Sequence, residues 1–399
     1  MQPPRNALGV DPRPRFFLVD DEPLPLHPPP PRLGQSVRVA GRSLAGMQKE
    51  ALVADSLSGR CWRLVSDEGP DLDGHDEAPF PLAFLTAGLL ASYATEIAAL
   101  GAQRGLDVAG VRLALASRYT MTGSSLRGTM VGGALRPELT VTGLPAGAGQ
   151  LVAEAVAGAP VTGLVRGTAE GLFTLSRNGR PVDTGRVACV PGPAEPDPRD
   201  AFQAAGPPAP GIRQPLVRRT PPSAFPGGGG PTAVPADQPG RGFAAVQDRT
   251  LLVHGTCVVR EDGVKDLELS LVRPAGATFR MLSDEAEGFG GTGRAPSAVA
   301  YVAAGLAFCF MTQLGRYAAI TRRQLDGYRV VQDMHVTLGG ASGRTGRAGG
   351  AGAVETHVHL ETPEDDDFAR AVVDMGEQTC FLHALARTGL TTKVQVATE

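Results

Sequence analysis

Trp62-Arg63-Leu64-Val65-Ser66-Asp67-Glu68 is echoed by Phe279-Arg280-Met281-Leu282-Ser283-Asp284-Glu285. At that single offset of 217 positions, residues 62–112 run onto residues 279–329 without a gap. Gly74, Ala78, Pro79, Ala83, Ala87, Gly88, Leu89, Thr95, Gly110 and Arg112 each fall on an identical residue. Self-similarity at a fixed offset is the mark of a repeated structural unit. A length of 399 residues alone suggests two or three domains, and the repeat sets the number at two. One mismatch bears on chemistry: Ser92 falls on Cys309, so a thiol in one copy stands where the other copy has a hydroxyl.

A net charge of −3 and a sequence pI near 6.2, with Lys and Arg scattered, give no phosphate-tracking surface, so no nucleic-acid partner is expected. Five cysteines (Cys61, Cys189, Cys257, Cys309, Cys380) are too few and too irregular for a secreted disulfide framework. The N-terminal residues lack the apolar core of a signal peptide, and a cytoplasmic location is expected. Two apolar stretches, Phe80 to Leu100 and Ala298 to Ile320, are long enough to cross a bilayer. Their Ala and Gly content, and the polar Thr95, Glu96, Gln313 and Arg316, point instead to helices buried by sheet, with no membrane partner.

Residues 1–35 are Pro-rich, include His27-Pro28-Pro29-Pro30-Pro31-Arg32, and read as an arm that cannot build a strand ladder. Residues 192–243, with Pro207-Pro208, Pro221-Pro222 and Gly227 to Gly230, read as a linker rather than a packed element. Between and after them lie the repeats, 36–191 and 244–399. Each begins with strand-like alternation, such as Ser36-Val37-Arg38-Val39 and Leu267-Glu268-Leu269-Ser270-Leu271. A Gly/Asp-rich loop, the long apolar helix, two strands, a second helix and a last strand follow. In the second repeat the two strands are Tyr328 to Thr337 and Val354 to Glu361, and the second helix runs from about Asp365 to Arg387 behind an acidic first turn. Strands and helices that do not alternate one for one predict an α+β fold.

Cys309 is expected inside the long helix and Cys380 inside the second helix, both among apolar neighbours. Two such thiols have three readings: inert core residues, metal ligands, or a peroxidatic and resolving pair. Arg63 and Arg280 repeat, as do Asp67-Glu68 and Asp284-Glu285. Their presence in the half without the cysteine pair reads as a strand-end ion pair. His335, His357 and His359, with Asp333, form a possible metal set on a hairpin. Polar residues on a solvated strand face are the plainer reading. His383, three residues after Cys380, shares its helix face and could tune the thiol.

Ala307-Phe308-Cys309-Phe310-Met311 resembles the Ala-Cys-Phe segment on the long helix of the OsmC/Ohr family of osmotically inducible and organic-hydroperoxide-resistance proteins, with a Phe inserted before the Cys. Thr379-Cys380-Phe381-Leu382 takes the place of that family's second cysteine motif. Ala159-Pro160-Val161-Thr162 keeps the surroundings of that motif in the first half, with alanine for the cysteine. Asp262-Gly263-Val264-Lys265-Asp266-Leu267-Glu268-Leu269-Ser270 resembles the strand after the family's first hairpin. The resemblance spans about residues 36–190 and 249–398. It implies two OsmC-like repeats, each a strand meander plus a central buried helix, further strands and a second helix, packed as an intrachain pseudo-dimer with a single dithiol site.

The resemblance further implies a peroxidase reducing small organic hydroperoxides, with Cys309 attacking, Cys380 resolving, an external dithiol as reductant, no bound cofactor and a monomeric state. Two departures stand out. The family's helix glutamate, ten residues before the attacking Cys, is Val299 here and Leu82 in the other half. The family's hairpin arginine is best matched by Arg42, with Arg260 as a looser candidate. Glu285 is a candidate to replace the missing acid. The rival expectations are a module that binds a small apolar or thiol-reactive ligand, and a metal-binding protein using His335, His357 and His359.

Overall fold

In the first half β1 (Gln35–Ser43), β2 (Lys49–Asp55) and β3 (Arg60–Ser66) form the meander. Then come α1 (Pro81–Gln103), β4 (Arg112–Ser124), β5 (Glu138–Thr142), α2 (Gly149–Gly158), α3 (Thr162–Arg166) and β6 (Gly171–Arg177). The second half repeats this order with β7 (Val246–Val259), β8 (Lys265–Arg273), β9 (Thr278–Ser283), α4 (Ala298–Thr321), β10 (Gly327–Val336), β11 (Val354–Glu361), α5 (Asp366–Thr379), α6 (Phe381–Thr388) and β12 (Lys393–Val396). This is a computed structural model, and it describes residues 6–19, 24–108, 110–145, 147–167, 169–209, 214–221 and 240–397.

The halves exchange strands. In one sheet the order runs β3-β2-β1-β10-β11-β6, so the meander and last strand of the first half enclose the strand pair of the second. In the other it runs β9-β8-β7-β4-β5-β12, the same arrangement with the halves interchanged. The long β7–β4 ladder, from Val246 opposite Ser124 to Val258 opposite Arg112, and the β1–β10 ladder, from Gln35 opposite Val336 to Arg42 opposite Arg329, join the halves. The fold is α+β.

Between the sheets lie α1 and α4, apolar on almost every face because almost every face is covered. Burying each Leu or Phe of these helices contributes about 1.5–3 kcal/mol. Gly88 and Gly305 set their closest approach. A Cβ at Gly88 would lie 2.5 Å from the Ala298 carbonyl oxygen, and one at Gly305 would lie 3.0 Å from the Leu85 nitrogen. These two repeated glycines therefore record a helix crossing.

The other repeated residues record a loop. Ser66 and Ser283 donate to the carbonyls of Pro79 and Pro296, at 2.8 and 2.9 Å. Asp67 accepts backbone N–H bonds from His75 and Glu77, and Asp284 accepts them from Thr292 and Arg294. A Cβ at Gly74 or Gly291 would collide with the carbonyl oxygen of Glu68 or Glu285, at 1.8 and 2.2 Å, so only glycine lets the loop close there. The Ser-Asp-Glu triplets thus clamp a loop and fix the glutamate that follows. They do not form the strand-end ion pair expected with Arg63 and Arg280. Arg63 instead pairs with Glu50 and Asp11, and Arg280 with Asp266.

Three expectations need correction. The arm does build a ladder, since Phe17–Leu18 adds to the edge of β3. The stretch 192–243 is partly packed: Val217–Thr220 extends the second sheet beside β9 and Arg199–Ala204 is helical, while 210–213 and 222–239 lie outside the described residues. Arm and helix together cover the outer face of the first sheet, where Phe17, Val19, Leu24, Ala40 and Leu52 form a small second core against Phe202. That is why β2 is buried on both faces, whereas β4 and β7 alternate. Finally, the single helix expected from Asp365 to Arg387 is broken at Cys380, whose extended backbone (φ −71°, ψ 117°) separates α5 from α6.

A chain cut to residues 244–399 loses the partners of β7, β10 and β11 and exposes both the apolar face of α4 and open sheet edges. The expected outcome is an aggregating or unfolded fragment. Cooperative unfolding of a soluble monomer, followed by circular dichroism and sedimentation, would contradict the exchanged sheets.

Candidate active site between the halves

Cys309 lies one helical turn beyond Gly305 on α4, and Ser92 occupies the same place beyond Gly88 on α1. The crossing therefore places two equivalent positions about an approximate twofold. Cys380 reaches Cys309 because the chain breaks there, and the two thiols are close enough for the charge of each to bear on the other. Ala159 stands in the corresponding break between α2 and α3, so the first half offers neither thiol. Cys309 and Cys380 are both buried thiols that form no disulfide.

Cys309 lines a pocket that opens to solvent. Its walls are apolar: Phe80, Leu82, Met121, Leu251, Leu271 and Phe381. Its polar groups are Glu68, Thr312, Gln313 and Arg316, with Arg249 donating to Asp71 at 2.6 Å alongside. Both halves build this pocket, the first through its clamped loop and the start of α1, the second through β7, β8, α4 and α6. Glu68, held by the clamped loop, accepts the Thr312 hydroxyl at 2.7 Å. Buried Lys49 lies 3.9 Å from the same carboxylate and donates to the Met47 carbonyl.

Burial pushes the Glu68 carboxyl up to about 6, with Lys49 and Thr312 pulling the other way. Burial likewise lowers Lys49, opposed by Glu68, Asp67 and Cys309. Arg316 is brought down to about 9 by burial and by Arg249, and remains a cation at neutral pH. It donates to the Gly242 carbonyl at 2.6 Å and to Gln313 at 3.2 Å.

The candidates read from the sequence divide. Cys309, Cys380 and His383 come together, with His383 Nδ1 3.2 Å from Cys380 Sγ. Arg42 does not join them: it pairs with Glu50 and stacks on Phe202 on the outer face of the first sheet. Arg260 bonds Asp262 and Gln214 at the surface of the other sheet. Glu285 serves the opposite pocket, beside Ser92 and Glu96, where it accepts from the Ala298 N–H at 3.2 Å. The acid facing Cys309 is its counterpart, Glu68. Sequence reasoning passed over Glu68, Lys49 and Arg316. The repeated Ser-Asp-Glu triplet was the signal for the first, but it lies in the other half of the chain.

The hairpin histidines do not gather round one point. His335, His357 and His359 each bond a hydroxyl of a neighbouring strand, those of Ser36, Thr174 and Ser176, all at 2.9 Å. Asp333 instead holds Arg38 through both oxygens, at 2.8 and 2.7 Å. The set expected for a metal is thus spent on sheet contacts.

Residues 291–395 match the family model described as OsmC-like protein. The second half carries an OsmC-like domain. Among solved structures the chain is similar to an OsmC-like hydroperoxide resistance protein from Jannaschia sp. CCS1, at 22% identity over 33% of this chain and 81% of that one, with a TM-score of 0.20. So low a TM-score carries no argument, and the architecture rests on the sheet order above. No curated protein matches the chain. The OsmC-like domain contains Cys309, Cys380, His383 and Arg316, whereas Glu68 and Lys49 lie outside it, in the first half.

The burial of Glu68 has a pH signature. Its folded pKa of about 6 lies above the ordinary 4.5, so the folded state keeps a proton that the unfolded state has released. Its ionisation therefore costs stability as pH rises through that window. Replacing it by Gln should remove that cost. The stability of Glu68→Gln relative to the parent should climb by about 1–2 kcal/mol between pH 4.5 and 6 in denaturant titrations. A constant difference across the window would show that Glu68 titrates normally.

Proposed function

We propose that the chain reduces organic hydroperoxides with thiols, with Cys309 as the attacking sulfur and Cys380 as the resolving one. The observation that carries this reading is the meeting of two sulfurs, 71 residues apart in sequence, at the floor of a largely apolar pocket that only one of them lines. The family match of residues 291–395 supports it. The two halves read as copies of one unit, about 36–191 and 244–399, of which the second kept its thiols.

In this mechanism the Cys309 thiolate attacks the terminal oxygen of the hydroperoxide. The O–O bond breaks, sulfur is oxidised to sulfenic acid, and the alkoxide takes up a proton and leaves as the alcohol. Glu68, ionised above pH 6, accepts the hydroperoxide O–H and turns the O–O bond toward the sulfur. Lys49 holds that carboxylate in place. Arg316 supplies positive potential where the alkoxide develops. Cys380 then displaces the sulfenic oxygen as water, forming the disulfide. An external dithiol reduces it by exchange. The apolar walls favour an organic group on the peroxide, because each buried methylene contributes about 0.8 kcal/mol.

Mass spectrometry after one equivalent of an organic hydroperoxide tests the reading. The parent chain should gain a Cys309–Cys380 disulfide, Cys309→Ser should consume no peroxide, and Cys380→Ser should be oxidised more slowly and stop at sulfenic acid at Cys309, advancing to sulfinic acid only when a second equivalent is added. Free thiols throughout would leave a ligand-binding pocket in place of an enzyme.

A further inference from the structure

The sulfur that can be reached and the sulfur best able to carry charge are different residues. Cys309 lines the pocket; Cys380 does not, and it is wholly buried. Yet the donors converge on Cys380. It is the N-cap residue of α6, the His383 ring lies 3.2 Å from its sulfur, and the Cys309 thiol adjoins it.

Resting on the peroxidase reading above, we infer that His383 is a positioning residue that stores the site's negative charge on Cys380, from which Cys309 is activated by passing its proton to that sulfur. The ring has no other use. It is fully buried, packed between Phe173 and Phe310 with centroids 5.7 and 5.5 Å away. Its Nε2 finds no hydrogen-bond partner among the described residues. Gly171 leaves room for it, since a Cβ there would lie 3.2 Å from His383 Cδ2.

Other charges bear on the pair. Glu377 on α5 raises the His383 pKa and Arg387 on α6 lowers it. Glu68 from the first half opposes charge on Cys309, and Lys49 favours it. Burial works against ionisation at both sulfurs. At Cys380 the neighbouring Cys309 thiol and the charge and bond of His383 outweigh it, and the thiol falls well below its ordinary range. At Cys309 burial and the charge of Cys380 act together, and the thiol rises well above it.

In the resting site Cys380 is a thiolate beside an imidazolium, and Cys309 is a thiol. When a hydroperoxide enters, the Cys309 proton passes to the neighbouring Cys380 sulfur. The Cys309 thiolate attacks, leaving sulfenic acid and alkoxide, and the proton on Cys380 neutralises the alkoxide. Cys380 is a thiolate again when it displaces the sulfenic oxygen, which leaves as water with the His383 proton.

Thiolate absorbance against pH, on the full chain without peroxide, tests this. The thiolate present below the ordinary thiol range should survive in Cys309→Ser and vanish in Cys380→Ser. In His383→Gln its midpoint should rise by about one to three pH units. Nitrogen chemical shifts of His383 should report an imidazolium in the parent and a neutral ring in Cys380→Ser, a readout that needs no histidine variant to fold. A thiolate that vanishes in Cys309→Ser, or a neutral ring in the parent, would overturn the inference even if peroxide is consumed. A thiolate on Cys380 without peroxide consumption would uphold it and sink the peroxidase reading instead.

Discussion

The crossing of two apolar helices at Gly88 and Gly305 governs this molecule. Neither α1 nor α4 can hide its surface against one sheet, and the contact between them is closer than any Cβ permits. Once the helices are packed, each needs sheet on its far side. The strands that provide it come from both halves, so the sheets are shared. The crossing also fixes where chemistry can sit, because the residues one turn beyond the glycines, Ser92 and Cys309, are placed by it.

Sharing has a consequence for function. A glutamate on the clamped loop of one half faces the helix of the other: Glu68 faces α4, and Glu285 faces the end of α1 that bears Ser92. Each pocket is thus assembled from both halves, with Lys49 behind one acid and Lys265 near the other. One pocket is lined by Cys309, with Cys380 buried behind it, and the other has Ser92 with Ala159 at the matching chain break. The half without the thiol pair supplies the acid and the lysine for the half that has it.

Much of the architecture was legible in residues 62–112 and 279–329, because the offset was constant and the identities fell on a loop and a helix. The helix spans, the strand pair and the α+β class followed from periodicity. The edge strand Phe17–Leu18 was not legible, since a Pro-rich arm reads as ladder-free until a partner edge is at hand. The break at Cys380 was also hidden. The sequence around it is helical in composition, and the extended backbone of Cys380 that separates α5 from α6 shows only in the fold. At the site, Cys309, Cys380 and His383 could be named because they are close in sequence or carry a motif. Glu68 could not be chosen over Glu285, nor Lys49 over Arg42, because that choice depends on which half's loop covers which helix. The hairpin histidines misled for a related reason: strand alternation gives a shared face, but not whether hydroxyls of the next strand have already taken the ring nitrogens.

The central claim is that the pocket across the halves makes Cys309 a thiol that reacts with organic hydroperoxides. Stopped-flow oxidation of the full chain, comparing an alkyl hydroperoxide with hydrogen peroxide, tests it most directly. Two buried methylenes at about 0.8 kcal/mol each correspond to a preference for the alkyl peroxide of about tenfold or more, and that preference should disappear in Cys309→Ser together with the reaction. Equal slow rates with both peroxides, unchanged in the variant, would contradict the account.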